Sequence, residues 1–224
     1  METALFIIEL IGIISFAAAG AMIAIDKETD IFGVVFISLI TCFGGGLLRD
    51  LIRHDGLPRC FSMYPQLIAC VATALLVFVL ASVFKRHYIS DRAAVDKINN
   101  ILDALGLGIF VAAGVQISMG DGALVAIVLG MITAVGGSLT RDVILGGIPF
   151  ILTKRVYAVA ALVGSIIYYL IAAVLMKGSE ANHVVATIVC TVVIFVIRML
   201  ATVFKLDLPR AIDFSEFNGN KDEK

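Results

Sequence analysis

Residues 40–52 read ITCFGGGLLRDLI, and residues 132–144 read ITAVGGSLTRDVI. Eight of these thirteen positions are identical, among them Gly44/Gly136, Gly45/Gly137, Arg49/Arg141 and Asp50/Asp142. The likeness continues upstream with a small change of offset. There Glu9, Gly12, Phe16, Ala18, Ala19 and Gly20 match Asp103, Gly106, Phe110, Ala112, Ala113 and Gly114. Downstream, Gly56 and Pro58 match Gly147 and Pro149. The chain therefore carries an internal repeat, and the repeat decides the architecture.

The residues between these landmarks are apolar. Hydrophobic residues make up 60% of the chain and charged residues 16%, with a mean hydropathy of +1.04. A soluble domain is about 45–50% apolar and about 25% charged, so the excess apolar surface is expected to face lipid. Seven apolar segments follow one another, near 4–25, 31–52, 63–84, 99–118, 122–145, 155–176 and 183–204. Each approaches the roughly 20 residues that a helix needs to cross a bilayer core. Continuous apolar runs, not alternation, select helices over a barrel. The first segment is not expected to be a cleaved signal, because Glu2 stands where a basic region should be. The fold class is thus an all-α polytopic membrane protein of seven transmembrane helices.

Each repeat contains three helices, and an odd number of crossings forces the second copy to enter the membrane from the opposite face. That is an inverted-topology repeat about a pseudo-two-fold axis in the membrane plane. The expected organisation is a first repeat at 1–84, a cytoplasmic linker at 85–98, a second repeat at 99–176, a seventh helix at 177–204 and a polar tail at 205–224. Loop cations set the orientation. With the N-terminus outside, the inner side holds twelve Lys and Arg residues (Lys27, Lys85, Arg86, Arg92, Lys97, Arg141, Lys154, Arg155, Lys205, Arg210, Lys221 and Lys224). The outer side holds four: Arg49, Arg53, Arg59 and Lys177. The bias favours N-terminus outside and C-terminus cytoplasmic, in the cell (inner) membrane.

Two features inside the membrane segments call for an explanation. Glycine costs about 1 kcal/mol against alanine in a helix interior, yet Gly44, Gly45 and Gly46 stand together and are matched by Gly136, Gly137 and Ser138. Matched, interrupted helices point to a binding or permeation site, where freed carbonyls coordinate a cation; the alternative is close packing of helices on small residues. Charges in lipid cost at least about 2.5–3.5 kcal/mol on insertion scales and so face a partner or a wet cavity. Neighbours on a helix point in different directions, so Arg49 and Asp50, like Arg141 and Asp142, are expected to find other partners. Glu9 and Arg49 fall near one end of helices one and two, and Asp103 and Arg141 repeat that relation at the opposite end. This predicts two symmetric ion pairs, Glu9–Arg49 and Asp103–Arg141, or arginines that reach the headgroups instead. Arg198 lies within the last helix.

Other classes are excluded more simply. No basic run or aromatic–basic patch suggests nucleic acid. Cys42, Cys60, Cys70 and Cys190 are scattered and read as packing residues, and His54, His87 and His183 are too far apart to suggest a metal site. No nucleophile–base set sits at membrane depth, so neither an enzyme nor a cofactor is expected.

The doubled GGGLLRD and GGSLTRD motif, the FAAAG and FVAAG segments and the seven helices resemble the prokaryotic trimeric intracellular cation channels. That family also carries an older label as a glycine-transporter domain. The resemblance covers roughly residues 5–204. It implies a homotrimer in which each protomer has its own pore, kinked at the glycines of helices two and five, conducting monovalent cations and chiefly potassium. Gly44–Gly46 and Gly136–Ser138 would then be the kinks beside the pore, with Arg49–Asp50 and Arg141–Asp142 at its two mouths. Ser138 departs from the pattern at the third glycine position. The basic gating or lipid-binding residues of animal members have no assignable counterpart. A secondary transporter of a small solute such as glycine is the alternative, since inverted repeats are its usual architecture.

Overall fold

The computed structural model describes residues 2–54, 56–153, 156–175 and 180–206. Lys154, Arg155, Lys177, Arg210, Lys221 and Lys224, used in reading the orientation, lie outside the described residues, as does the tail beyond residue 206. Six helices are long and apolar enough to cross a membrane, and a shorter apolar helix covers Tyr157–Ala173. In chain order the elements are α1 (Glu2–Asp26), α2 (Ile31–Arg53), α3 (Tyr64–Val83), α4 (Lys85–Ser90), α5 (Arg92–Ser118), α6 (Ala123–Ile144), α7 (Phe150–Thr153), α8 (Tyr157–Tyr169) and α9 (Glu180–Val203). The protein is an all-α membrane protein of two inverted three-helix repeats, α1–α3 and α5, α6 and α8, with α9 added.

Local chemistry fixes the ends. Asp30 caps α2, its side chain accepting from the Gly33 N–H at 2.7 Å, and this satisfies one of the open donors of the first turn. Asp91 does the same for α5 by accepting from Ala94 N–H at 3.2 Å. With that cap, α5 starts at Arg92, before the apolar stretch expected from 99. The expected linker is thus largely helical, as α4 and the polar first turns of α5. Tyr88 of α4 donates to the Met22 carbonyl at 3.3 Å and to Asp26 at 3.1 Å, while Arg92 pairs with Asp26 and lies over the Tyr88 ring. Burial and the Asp26 carboxylate push the Tyr88 hydroxyl well above its ordinary pKa. The connection between the repeats is thereby tied to the end of α1. The sixth apolar segment is not one uniform helix: α8 continues as a π-helical stretch over Leu170–Leu175.

The core shows the two-fold relation residue by residue. A Cβ on Gly45 would lie 1.9 Å from the Thr133 carbonyl oxygen, and one on Gly137 would lie 2.1 Å from the Thr41 carbonyl oxygen. Thr41 and Thr133 are themselves matched positions, so the contact is reciprocal, as a two-fold axis requires. Gly20 meets Thr41 Oγ1 and Gly114 meets Thr133 Oγ1 in the same way. Phe16 and Phe110, a third matched pair, stack with ring centroids 5.0 Å apart. Around this centre Ile13, Ala17, Leu107, Val111 and Ala134 are buried. The outer face of α3 exposes Ile68, Leu76, Val79 and Val83, as a lipid-facing helix does.

The glycine runs do not interrupt their helices. α2 is continuous from Ile31 to Arg53 and α6 from Ala123 to Ile144, so the expected freeing of carbonyls by a broken helix is not how the glycines act. They bring two backbones together, each carbonyl oxygen lying against the opposing glycine Cα. Overpacking a tight core costs about 1–3 kcal/mol, occasionally more. Gly137→Ala is accordingly expected to lower stability by at least that amount in detergent thermal unfolding. Gly120→Ala, where a Cβ meets nothing within 4 Å, should be neutral; equal effects of the two would refute the contact.

Candidate functional site

A cavity lies beside the helix crossing, between the two repeats. Its lining includes Glu9 and Ile13 of α1, Cys42, Gly46, Arg49 and Asp50 of α2, and Phe110 and Ala113 of α5. Thr133 of α6 and Cys60, in the short 3₁₀ turn Arg59–Ser62, complete the wall. The space measures about 40 Å³. A cleft of about 430 Å³ adjoins it, sharing Glu9, Arg59, Ala113 and Ile117 in its lining.

The ion pairs differ from those expected. Arg49 Nη2 lies 2.6 Å from Asp50 Oδ1, and Arg141 Nε lies 2.8 Å from Asp142 Oδ1. Each arginine pairs with its own neighbour because its long, flexible stem folds back around the helix end, which the direction of the Cβ atoms alone does not forbid. Among the described residues neither Glu9–Arg49 nor Asp103–Arg141 forms an ion pair. Nor do the arginines reach out to headgroups, since Arg49 and Arg141 are 5% and 2% exposed. Asp50 also accepts from the Arg59 backbone N–H at 2.9 Å, so one buried carboxylate holds both the arginine and the 3₁₀ turn. Arg53 at the end of α2 reaches the Ile117 carbonyl at 2.8 Å and Asp121 at 2.8 Å.

The two helix-one carboxylates keep their symmetry of position but not of environment. Glu9 accepts from Gln66 Nε2 of α3 at 3.2 Å and lines the cavity. Asp103 is buried, accepts from the Tyr157 hydroxyl of α8 at 3.4 Å and pairs with Arg198 of α9 at 3.3 Å; Arg141 adds a second positive charge to its surroundings. Arg198 also donates to Asn100 at 2.9 Å and lies 4.6 Å over the Tyr157 ring. Gln66, Tyr157 and the pairing of Arg198 escape the sequence motif. The readable signal was the lone arginine in an apolar helix, because such a charge requires a partner.

The sulfur chemistry is that of packing. All four cysteines are free, and Cys42 and Cys70 lie buried with their sulfurs 3.6 Å apart. Cys60 is half-buried at the cavity rim, and burial together with the Asp50 carboxylate pushes its thiol pKa up.

Sequence comparison finds matching relatives. Residues 6–82 and 100–173 match the family described as Glycine transporter, and the two matched blocks coincide with the two repeats. The UPF0126 inner membrane protein YadS of Escherichia coli K12 is 31% identical over 208 residues, covering 90% of this chain and 93% of that protein. A solved structure on conductance through TRIC cation channels aligns with a TM-score of 0.79 at 32% identity, over 92% of this chain and 97% of that one. The TRIC trimeric intracellular cation channel orthologue from Rhodobacter sphaeroides aligns with a TM-score of 0.77 at 28% identity, over 91% and 100%.

Removing one partner of a buried ion pair costs about 3–5 kcal/mol, because the other charge stays buried. Asp50→Asn is expected to lose stability on that scale in detergent unfolding. The neutral double change Arg49→Gln with Asp50→Asn should recover part of it. A single variant as stable as the parent would contradict the pairing.

Proposed function

This chain belongs to the family of the UPF0126 membrane proteins and TRIC cation channels, and we propose that it conducts monovalent cations, chiefly potassium. The observation that carries the reading is the cavity inside the protomer. It runs from Glu9, Asp50 and Arg49 to Gly46 and Thr133, between the two repeats and beside the α2–α6 crossing. Glu9 is the carboxylate that attracts cations at the entrance, since Asp50 is already paired with Arg49. Deeper in, Thr133 lies beside Gly46, and its hydroxyl, while donating to the Leu129 carbonyl, keeps lone pairs that serve as oxygen ligands of the kind that replace a hydration shell. The path proposed passes alongside Gly44–Gly46 and Gly136–Ser138, with Arg49–Asp50 at one mouth and Arg141–Asp142 at the other. The protein acts by conduction and needs no cofactor.

The same reading places the chain in the inner membrane, N-terminus outside and C-terminus inside, as the excess of cations in the proposed inner loops supports. Purified protein in planar bilayers under a potassium gradient is expected to give resolved single-channel steps that reverse near the potassium potential. A carrier of a small solute such as glycine would give slow, saturable flux without steps. Cys60 supplies a built-in probe of the vestibule. A cationic, impermeant methanethiosulfonate added from the outer side should reduce the current. Because the thiol pKa is raised, the reaction should accelerate as pH rises. Insensitivity to the reagent on that side, or current unaltered after complete modification, would remove the vestibule assignment.

We also propose a homotrimer, supported by the trimeric relative. Light scattering of the detergent-solubilised protein should give three times the chain mass. A monomer or dimer mass would refute it.

A further inference from the structure

Cys42 and Cys70 meet where the three helices of the first repeat converge. Their sulfurs lie 3.6 Å apart, one from α2 and one from α3, and the Cys42 thiol donates to the Ile13 carbonyl of α1 at 3.4 Å. Both residues are buried. Packing accounts for where these side chains sit, but it does not call for sulfur. Glu9–Gln66 and Asp103–Tyr157 are equivalent contacts in the two repeats, so Gln66 matches Tyr157, and Cys70, one turn on, matches Ala161. The doubled motif matches Cys42 with Ala134. Ala134 and Ala161 are fully buried, so alanine fills both places in the other half. The sulfur pair is also reachable. Cys42 forms part of the cavity wall, and two further sulfur residues, Cys60 and Met63, stand in the same lining.

We propose that Cys42 and Cys70 bind a soft monovalent cation, of the copper(I) and silver(I) class, that enters through this cavity. Its entry, though not the binding itself, rests on the channel reading. Thiolates and thioethers select soft ions such as copper(I), whereas oxygen ligands suit hard cations. Two sulfurs bonded to one metal at about 2.3 Å with a near-tetrahedral angle stand roughly 3.7 Å apart, close to the separation seen here. Among the described residues no group of three His, Cys, Asp or Glu side chains is placed to hold a metal. Zinc, which takes four ligands in structural sites, therefore lacks a complete set, and the two sulfurs with the Ile13 carbonyl suit an ion of low coordination number. The charge balances as well. One thiol releases its proton to water, the metal bonds to that thiolate and to the neighbouring thiol, and the buried site stays neutral.

The test uses silver(I) nitrate in chloride-free detergent solution, on freshly reduced protein freed of reductant. A Cys60→Ser, Cys190→Ala background leaves this pair as the only thiols. Titration calorimetry is expected to give one silver ion bound and one proton released per chain, and X-ray absorption two sulfur neighbours. Even an outer-shell partner is worth about 10–100-fold in metal affinity, so adding Cys42→Ala or Cys70→Ala should weaken binding by at least about a hundredfold. Alanine already stands at the matched positions, so both variants are expected to assemble, which light scattering checks. If either does not, the sulfur count of the background protein decides alone. No silver bound, two ions per chain with one sulfur each, or equal affinity in the single variants would overturn the site. In planar bilayers, silver added from the outer side should remove the potassium current of the background protein and spare that of Cys42→Ala. Silver held by both sulfurs while current continues, or no current from any variant, would remove the channel reading of the cavity and leave the binding site standing.

Discussion

The fold depends on the reciprocal contact in which the Thr41 carbonyl meets Gly137 and the Thr133 carbonyl meets Gly45. Lipid supplies little hydrophobic drive between helices, so association rests on close van der Waals contact and polar groups. Two matched glycines let α2 and α6 touch backbone to backbone, which no residue with a side chain would permit at those positions. Thr41 and Thr133 return their own hydroxyls to the Ile37 and Leu129 carbonyls of the preceding turn. Their methyl faces and main chains are left to pack. Gly20 and Gly114 then bring α1 and α5 against the same threonines, and the third helix of each repeat covers the outside. One contact and its symmetric copy thus set the spacing of four helices.

That spacing decides what can be buried. Each arginine of the Arg-Asp motif is neutralised by the adjacent carboxylate, so the motif crosses into the protein as a nearly neutral unit. Asp50 spends its second oxygen on the Arg59 N–H, which draws the turn between α2 and α3 over the cavity. Among the described residues Glu9 pairs with no arginine and is bound to a neutral amide. A carboxylate in that state can still attract a cation, whereas Asp103, held by Arg198, is already compensated. The difference in electrostatics between the halves comes from α9, the element that stands outside the repeat.

Much of this was legible in the sequence, for identifiable reasons. Apolar runs near the length of a bilayer crossing marked the long helices and α8, with α5 differing most because its polar first turns precede the apolar core; the short α4 and α7 fell between the runs. The doubled motif disclosed the inverted repeat, since matched residues and an odd helix count leave few other topologies. The role of the glycines was only half visible: a run of three reads equally as a break or as a close approach, and continuous α2 and α6 favour the approach. The ion pairs were misjudged because backbone geometry directs Cβ atoms, while an arginine has four further torsions with which to turn back. Tyr157 and Gln66 carried no signal, being single residues on apolar helices whose partners come from distant sequence.

An inverted repeat presents the same environment to both faces of the membrane, and a path that was fully symmetric would have no reason to be closed at one end and open at the other. Asymmetry must therefore enter through residues that break the repeat. Among them are Ser138 against Gly46, Tyr157 buried where the first half keeps a cavity, and Arg198 from the added helix. All three are joined through Asp103 or the Tyr157 ring, over distances of 3.3–4.6 Å. They leave Asp103 compensated by Arg198 where Glu9 meets only the Gln66 amide, so the scaffold supplies the symmetry and these departures supply the difference between its two faces.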